Sequence, residues 1–276
     1  MSKKLTLPQF RTMKEKGESV VFITAYDFPL AQCCEAAGVD LILVGDSVGM
    51  TTLGYENTLP VTMDEMIHHC KAVRKGAPHT FLIGDMPLGS YQISDEEAVR
   101  NALRFVKEAG CDAVKCEGGV RVAKQVKAMV DAGIVVMGHL GLTPQSVSQQ
   151  GGYRVQGKTP LQQLALHEDA FSLQEAGASF ILLEAMPPET ARGLSQIPTV
   201  TKLAEGIHIP LYGIGTGPHV DGQLLIIHDV LGLFQAFKPK FAKRYLEGST
   251  LIQEALKTYA QEVRAKEFPQ KEHWYE

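Results

Sequence analysis

Residues 94–117 read SDEEAVRNALRFVKEAGCDAVKCE. Ser94, with Glu97 three positions on, has the pattern of a capping box, in which Ser94 is the N-cap and Glu97 reaches back to it. Val99, Leu103, Val106 and Gly110 follow at helical spacing, so the stretch predicts an amphipathic helix. Ala109-Gly110 closes that helix, because glycine just past a helix end tolerates the left-handed backbone. The apolar run at 113–115 then reads as a buried strand. Lys115 and Glu117 leave its C-terminal end on one face, and alternation turns Cys116 away from them as a core thiol.

The same unit recurs. Ala37-Gly38, Ala132-Gly133 and Ala176-Gly177 each close a helical stretch and open a β-rich run. Val122, Val126, Met129 and Val130 repeat the helical spacing. Strands are predicted at 20–24, 41–44, 79–83, 113–115, 134–137, 180–183, 210–214 and 224–227. Short apolar strands alternating with amphipathic helices predict a parallel sheet, and eight units in 276 residues predict a closed (β/α)8 TIM barrel rather than an open sheet. No linker or low-complexity run divides the chain, so one domain, 1–276, is expected. Residues 143–160, rich in Gly, Gln and Ser, read as a long loop after the fifth strand, a candidate lid.

Composition narrows the function. Apolar residues make up 45% of the chain and the net charge is −4, with no basic block, so nucleic-acid binding is not expected. No apolar run approaches the ~18 residues of a membrane span, and no signal core follows Met1, so a soluble, cytoplasmic protein is expected. Cys33, Cys34, Cys70, Cys111 and Cys116 are odd in number and form no CxxC pair, which suits free thiols in a reduced compartment.

Active sites of such barrels lie at the C-terminal ends of the strands. Polar groups fall there repeatedly: Tyr26-Asp27, Asp46-Ser47, Asp85, Lys115 with Glu117, His139, Glu184 and His228-Asp229. In four units the polar residue lies six to eight positions after the helix-closing glycine. One acid at a strand end is usually a helix N-cap; acids on four strands converging on one rim ask for more. Asp46, Asp85 and Glu117 form an oxygen-rich set suited to a hard cation such as Mg²⁺, which takes one or two carboxylates and keeps waters. Lys115 reads either as an internal ion pair or as the partner of an anionic substrate. Glu184 follows an apolar run, where partial burial favours a base. His139 reads as acid, base or structural support. The turn at 213–217, GIGTG, has the glycines to bring backbone amides to an anion, and His68-His69 reads as an inert, partly exposed helical pair.

Several stretches together resemble the ketopantoate hydroxymethyltransferase family of pantothenate biosynthesis. They are ITAYD at 23–27, LVGDSVGM at 43–50, TLPVT at 58–62, VRKGAP at 73–78, VKCEGG at 114–119, GHLGLTPQSV at 138–147, GGYRVQG at 151–157, GIGTG at 213–217 and DGQ at 221–223. The resemblance runs in order over nearly the whole chain. It implies a (β/α)8 barrel, Mg²⁺, 5,10-methylenetetrahydrofolate as one-carbon donor and a homo-oligomer, often a decamer. By the same resemblance, Asp46 and Asp85 are metal ligands, Glu117 is the third metal-site carboxylate, Ser47 and Lys115 hold the 2-oxo acid with Asp46 and Asp85 beside it, and Glu184 is the catalytic base. The implied reaction gives 2-dehydropantoate from 3-methyl-2-oxobutanoate through a Mg-stabilised enolate. Two rivals stand beside it: another Mg-dependent 2-oxo-acid lyase or mutase, which needs no folate, and a non-catalytic oxo-acid-binding barrel, which needs no base.

Overall fold

In the computed structural model, residues 4–195 and 206–275 are described. Eight parallel strands pair in chain order and close on themselves, β1 to β8. They are β1 (Val20–Thr24), β2 (Leu41–Val44), β3 (Phe81–Asp85), β4 (Ala113–Glu117), β5 (Val136–Gly141), β6 (Phe180–Glu184), β7 (Leu211–Ile214) and β8 (Gly222–Leu225). All eight lie in one compact unit, residues 1–225; residues 226–276 form a second.

Strands form at all eight hydrophobic runs, but the bounds of β3, β4, β5 and β8 differ by two residues or more. β3 lies two residues later than 79–83 and so ends on Asp85, and β4 runs on to Glu117. β5 starts two residues later than expected and runs on through His139 to Gly141. β8 is Gly222–Leu225, and the second half of the apolar run at 224–227 enters a short helix, Ile227–Val230. His228 and Asp229 are therefore helical and belong to the second unit rather than ending a strand. An apolar run alone cannot separate a strand from a buried helical turn.

The helix-closing glycines behave as expected: Gly38, Gly110, Gly133 and Gly177 all have positive φ, from 69° to 93°. The helix Asp95–Ala109 forms, but its buried face differs from the apolar spacing. Ala98, Ala102, Phe105 and Ala109 face inward, while Leu103 and Val106 are exposed. The reason is close packing. A Cβ on Gly84 of β3 would lie 2.3 Å from Phe105 Cδ1, so the ring fills the space that glycine leaves and alanines bring the helix down onto the sheet. Ser94 accepts from the Glu97 amide at 3.1 Å, which is the Ser94 half of the expected capping box. The helix after β4 buries Val126 and Met129 as its spacing predicts.

Aromatic side chains fill the lower barrel. Phe10, on the N-terminal helix Leu7–Lys16, is fully buried and meets Phe81 and Phe180 edge-on at 5.3 and 5.5 Å. Both partners begin their strands, so Phe10 closes the N-terminal end of the barrel. Phe180 and Phe22 continue the layer onto Tyr212. Edge-to-face pairs of this kind are each worth about 0.5–1.5 kcal/mol beyond the area they bury. That packed floor leaves the opposite end for polar groups. In the second unit, the helix Gly248–Ala265 carries exposed Ile252, Leu256, Tyr259 and Val263 along one side.

Candidate active site

Strand register brings the polar residues together. Asp85 pairs with Lys115 across β3 and β4, Glu117 with His139 across β4 and β5, and Gly141 with Glu184 across β5 and β6. Residues paired in neighbouring parallel strands point to the same face, so one pleat delivers these side chains to one place. Cys116 lies between Lys115 and Glu117 and is fully buried in the core, as alternation predicts. Burial pushes its thiol up to about 12. All five cysteines are free.

The Lys115 ammonium lies 2.8 Å from Asp85 Oδ1 and 3.7 Å from Glu117 Oε1, with both side chains almost wholly buried. Burial acts to lower its pKa, but Asp85, Glu117 and Asp46 outweigh that and hold it above the ordinary lysine value. His139 lies beside this pair. Its Nδ1 is 3.3 Å from Glu117 Oε1 and 3.2 Å from Lys115 Nζ, and its Nε2 is 3.1 Å from Glu184 Oε2. Burial and Lys115 push the imidazole down; Glu117 and Glu184 carry it up to about 9. Nδ1 cannot both donate to Glu117 and accept from Lys115. A protonated ring donates to Glu117, and Lys115 keeps Asp85 as its partner.

Asp46 lies just beyond β2. Its amide donates to Asp85 Oδ2 at 2.9 Å, which locks the two strand ends together. Burial first, then the charges of Asp85 and Glu117, raise the Asp46 carboxyl well above its usual range. Ser47 follows, with its Oγ 2.7 Å from the hydroxyl of buried Tyr26. Asp27, by contrast, is a helix N-cap that accepts from the Leu30 amide at 2.8 Å. His68 is exposed; His69 contacts the Tyr26 carbonyl at 2.7 Å.

Glu184 is the most open carboxylate of the cluster, with 18% of its side chain exposed. Ala185, next in the chain, has φ of 46°, a left-handed conformation that costs a residue with a Cβ about 1–3 kcal/mol. Two bonds hold it: the Ala185 amide donates to the Ile214 carbonyl, and its own carbonyl accepts from Gln156. Gly141 has φ of 90°, and a Cβ there would lie 2.2 Å from the Glu184 carbonyl oxygen. Only glycine lets β5 pass so close to the backbone of Glu184.

Two residues that sequence reasoning missed tie the cluster together. Gln145 sits in a 3-10 turn, Pro144–Ser146, within the segment expected as a loop, and is buried. Its Nε2 donates to Asp46 Oδ2 at 2.9 Å and to the Met86 carbonyl at 3.0 Å, and its amide donates to Glu117 Oε2 at 2.9 Å. The Tyr91 hydroxyl donates to Gln145 Oε1 at 2.7 Å and accepts from the Glu117 amide at 2.9 Å. The first part of the segment, 143–150, is thus a structured wall of the site with a further helical turn at Val147–Gln150, while 151–159 has no helix or strand, as the loop reading expects.

These residues fit a divalent cation. Asp46, Asp85, Glu117 and Glu184 bring four carboxylates against two cations, Lys115 and His139. Asp85 Oδ1, Glu117 Oε1 and His139 Nε2 are buried without a well-directed hydrogen bond, although the two oxygens face the Lys115 ammonium and Nε2 lies in ion-pair range of Glu184. Among the described residues, no three His, Cys, Asp or Glu side chains enclose a cation by themselves. A Mg²⁺ site is commonly of that kind, with one or two carboxylates and the remaining positions taken by water and substrate oxygens.

A parallel barrel with ionisable groups of both signs gathered at the carboxyl ends of β2 to β6 defines a TIM-barrel enzyme. Solved structures share this fold. Phosphonopyruvate hydrolase superposes with a TM-score of 0.62 at 14% identity, over 96% of this chain and 88% of that one. A 2,3-dimethylmalate lyase of the PEP mutase/isocitrate lyase superfamily gives 0.58 at 16% identity, over 95% and 98%. Sequence narrows the class: residues 4–271 match the model of ketopantoate hydroxymethyltransferase, and the chain belongs to that family. The 3-methyl-2-oxobutanoate hydroxymethyltransferase of Heliobacterium modesticaldum is 51% identical over 273 residues, 99% of this chain and 96% of that protein. Its counterpart from Alkaliphilus metalliredigens is 52% identical over 276 residues, 100% of this chain and 94% of that protein.

Proposed function

We propose that this chain transfers a hydroxymethyl group from 5,10-methylenetetrahydrofolate to 3-methyl-2-oxobutanoate, giving 2-dehydropantoate and tetrahydrofolate. Family membership supports the reaction. The observation that carries the mechanism is the placement of Glu184, the open carboxylate at the rim, with one oxygen 3.1 Å from His139.

Asp46 and Asp85 would hold a Mg²⁺ ion, with Glu117 behind them acting through water. When bound there, the ion supplies Lewis acidity to the keto oxygen of the substrate. Ser47, oriented by Tyr26, and Lys115, oriented by Asp85, hold the substrate carboxylate. Glu184 then takes the proton from C3, leaving the enolate. The bond from the folate methylene carbon to N10 opens as N10 takes up a proton, and C3 attacks that carbon to form the new carbon–carbon bond. Water then displaces N5, its hydroxyl going to the carbon and its proton to N5, which releases tetrahydrofolate. His139 steadies Glu184 through Nε2 and is itself braced by Glu117. Fixed charges around a buried centre supply most of the stabilisation.

Assay of 2-dehydropantoate formation from 3-methyl-2-oxobutanoate, with and without Mg²⁺ and folate donor, tests the reading. Product that requires both is expected. Turnover of a 2-oxo acid without folate would put the chain with the lyases and mutases instead.

Assembly into a homo-oligomer, a decamer by family resemblance, belongs to the same proposal. The apolar run at 224–227 gives little support, since Leu224 and Ile227 are buried. Support comes from the helix Gly248–Ala265, where Ile252, Leu256, Tyr259 and Val263 are 43–61% exposed along one side. Light scattering on Leu256→Glu should show a smaller species than the unmodified chain; a monomer in both overturns the assembly. No helix among the described residues is long and apolar enough to cross a membrane. We place the enzyme in the cytoplasm, a reading that the five free thiols support.

A further inference from the structure

A cavity of about 490 Å³ lies at the end of β5. That volume is within the range of small-molecule sites. Leu140, Ala165 and Leu166 give it an apolar side. Its polar side holds groups with hydrogen-bonding capacity left over. Asp169 accepts from the Val120 amide through Oδ1 at 2.8 Å, and its Oδ2 has no protein donor among the described residues. Gln149 uses its oxygen on Arg121 and leaves its amide hydrogens, while Gln156 donates to the Arg154 carbonyl and leaves its oxygen. An apolar side facing a carboxylate, an amide donor and an amide acceptor suits a heterocycle with alternating donors and acceptors.

The cavity also reaches the backbone at the ends of β4 and β5, next to the residues that carry the reacting groups. Gly118 and Gly141 line it; the first directly follows Glu117 and the second pairs with Glu184. Neither interposes a side chain between the cavity and those two residues. Half-burial raises the Asp169 carboxyl, so a ligand that donates to it gains by satisfying a group the protein leaves short of partners.

We propose that this cavity binds the pterin head of the one-carbon donor, with the 2-amino group and adjacent ring N–H donating to Asp169 Oδ2 and the bicyclic ring lying against Leu140, Ala165 and Leu166. The assignment rests on the reading of a tetrahydrofolate donor made above. Nothing in the cavity is needed for removal of the C3 proton, which separates the two claims.

Calorimetry with tetrahydrofolate on the full chain tests it, using Asp169→Asn and Ala165→Phe. Asparagine keeps the oxygen that accepts from Val120 and replaces the acceptor facing the cavity. Phenylalanine at the exposed Ala165 fills the cavity without removing any hydrogen bond. Each should weaken tetrahydrofolate binding roughly 10- to 100-fold, the size of one charged hydrogen bond or a blocked ring site. Exchange of the 3-methyl-2-oxobutanoate C3 proton with solvent deuterium, which uses no folate, should continue in both variants. Unchanged tetrahydrofolate affinity in Ala165→Phe overturns the site, and unchanged affinity in Asp169→Asn overturns the carboxylate contact. Loss of exchange together with binding assigns these residues to the fold and overturns the proposal. If the unmodified chain exchanges the proton yet binds no tetrahydrofolate, the donor reading itself fails.

Discussion

His139 Nε2 stands 3.1 Å from Glu184 Oε2. One buried ring therefore joins the proposed base to Glu117, on its far side at 3.3 Å. His139→Leu removes both contacts. It should slow C3–proton exchange by roughly 10- to 100-fold, the lower end of what a close charge pair contributes, and leave the KM for the oxo acid little changed. His139→Gln can still reach Glu184 with an amide and should recover part of the rate. Equal loss in both variants, with KM raised, would show a packing role only.

Asp46 and Asp85 should respond differently to neutralisation although both are proposed cation ligands. Asp46 sits buried against two other carboxylates, and Asp85 is the nearest partner of Lys115 at 2.8 Å. Asp46→Asn relieves repulsion, so in chelator the variant should melt at or above the Tm of the unmodified chain. Asp85→Asn strands a buried ammonium and should cost about 3–5 kcal/mol. Both should lose Mg²⁺ affinity in calorimetry. Wild-type affinity in either removes that residue from the site.

Gln145 offers a test of the wall formed by 143–150. Gln145→Leu leaves Asp46 Oδ2, the Met86 carbonyl and the Tyr91 hydroxyl each short of a partner. Each buried unsatisfied group costs about 1–3 kcal/mol, so thermal unfolding should fall by several degrees. Gln145→Glu should weaken the fold further without Mg²⁺, because it adds a carboxylate 2.9 Å from Asp46. An unchanged Tm in both would show that the loop packs independently of the cluster.

The barrel is legible because its signals are local: in four units a glycine closing the helix, an apolar strand, then a polar residue at the strand end. Strand alternation alone separated Lys115 and Glu117 from Cys116. The inward face of the helix Asp95–Ala109 was not legible, because small alanines and Phe105 against Gly84 pack closer than Leu103 and Val106 would allow. Gln145 and Tyr91 lay outside sequence reasoning for a related reason. They come from connecting segments with no periodicity, and their roles arise from contacts spanning 26 to 99 residues. A trace of Gln145 was present: Pro144 starts a helical turn just past β5, which aims the next side chain back toward the strand ends.

The most direct test of the mechanism is Glu184→Gln, followed by NMR of C3–proton exchange in deuterated solvent and by calorimetry of 3-methyl-2-oxobutanoate with Mg²⁺ present. Glutamine keeps the size and polarity of the side chain and cannot take the proton. A placed base contributes roughly 10²–10⁴ in rate. The variant should bind the oxo acid with near-normal affinity and exchange its C3 proton at least ~100-fold more slowly. Near-normal exchange would contradict Glu184 as the base and move that role to another group, His139 first. Loss of oxo-acid binding would make Glu184 a substrate anchor instead.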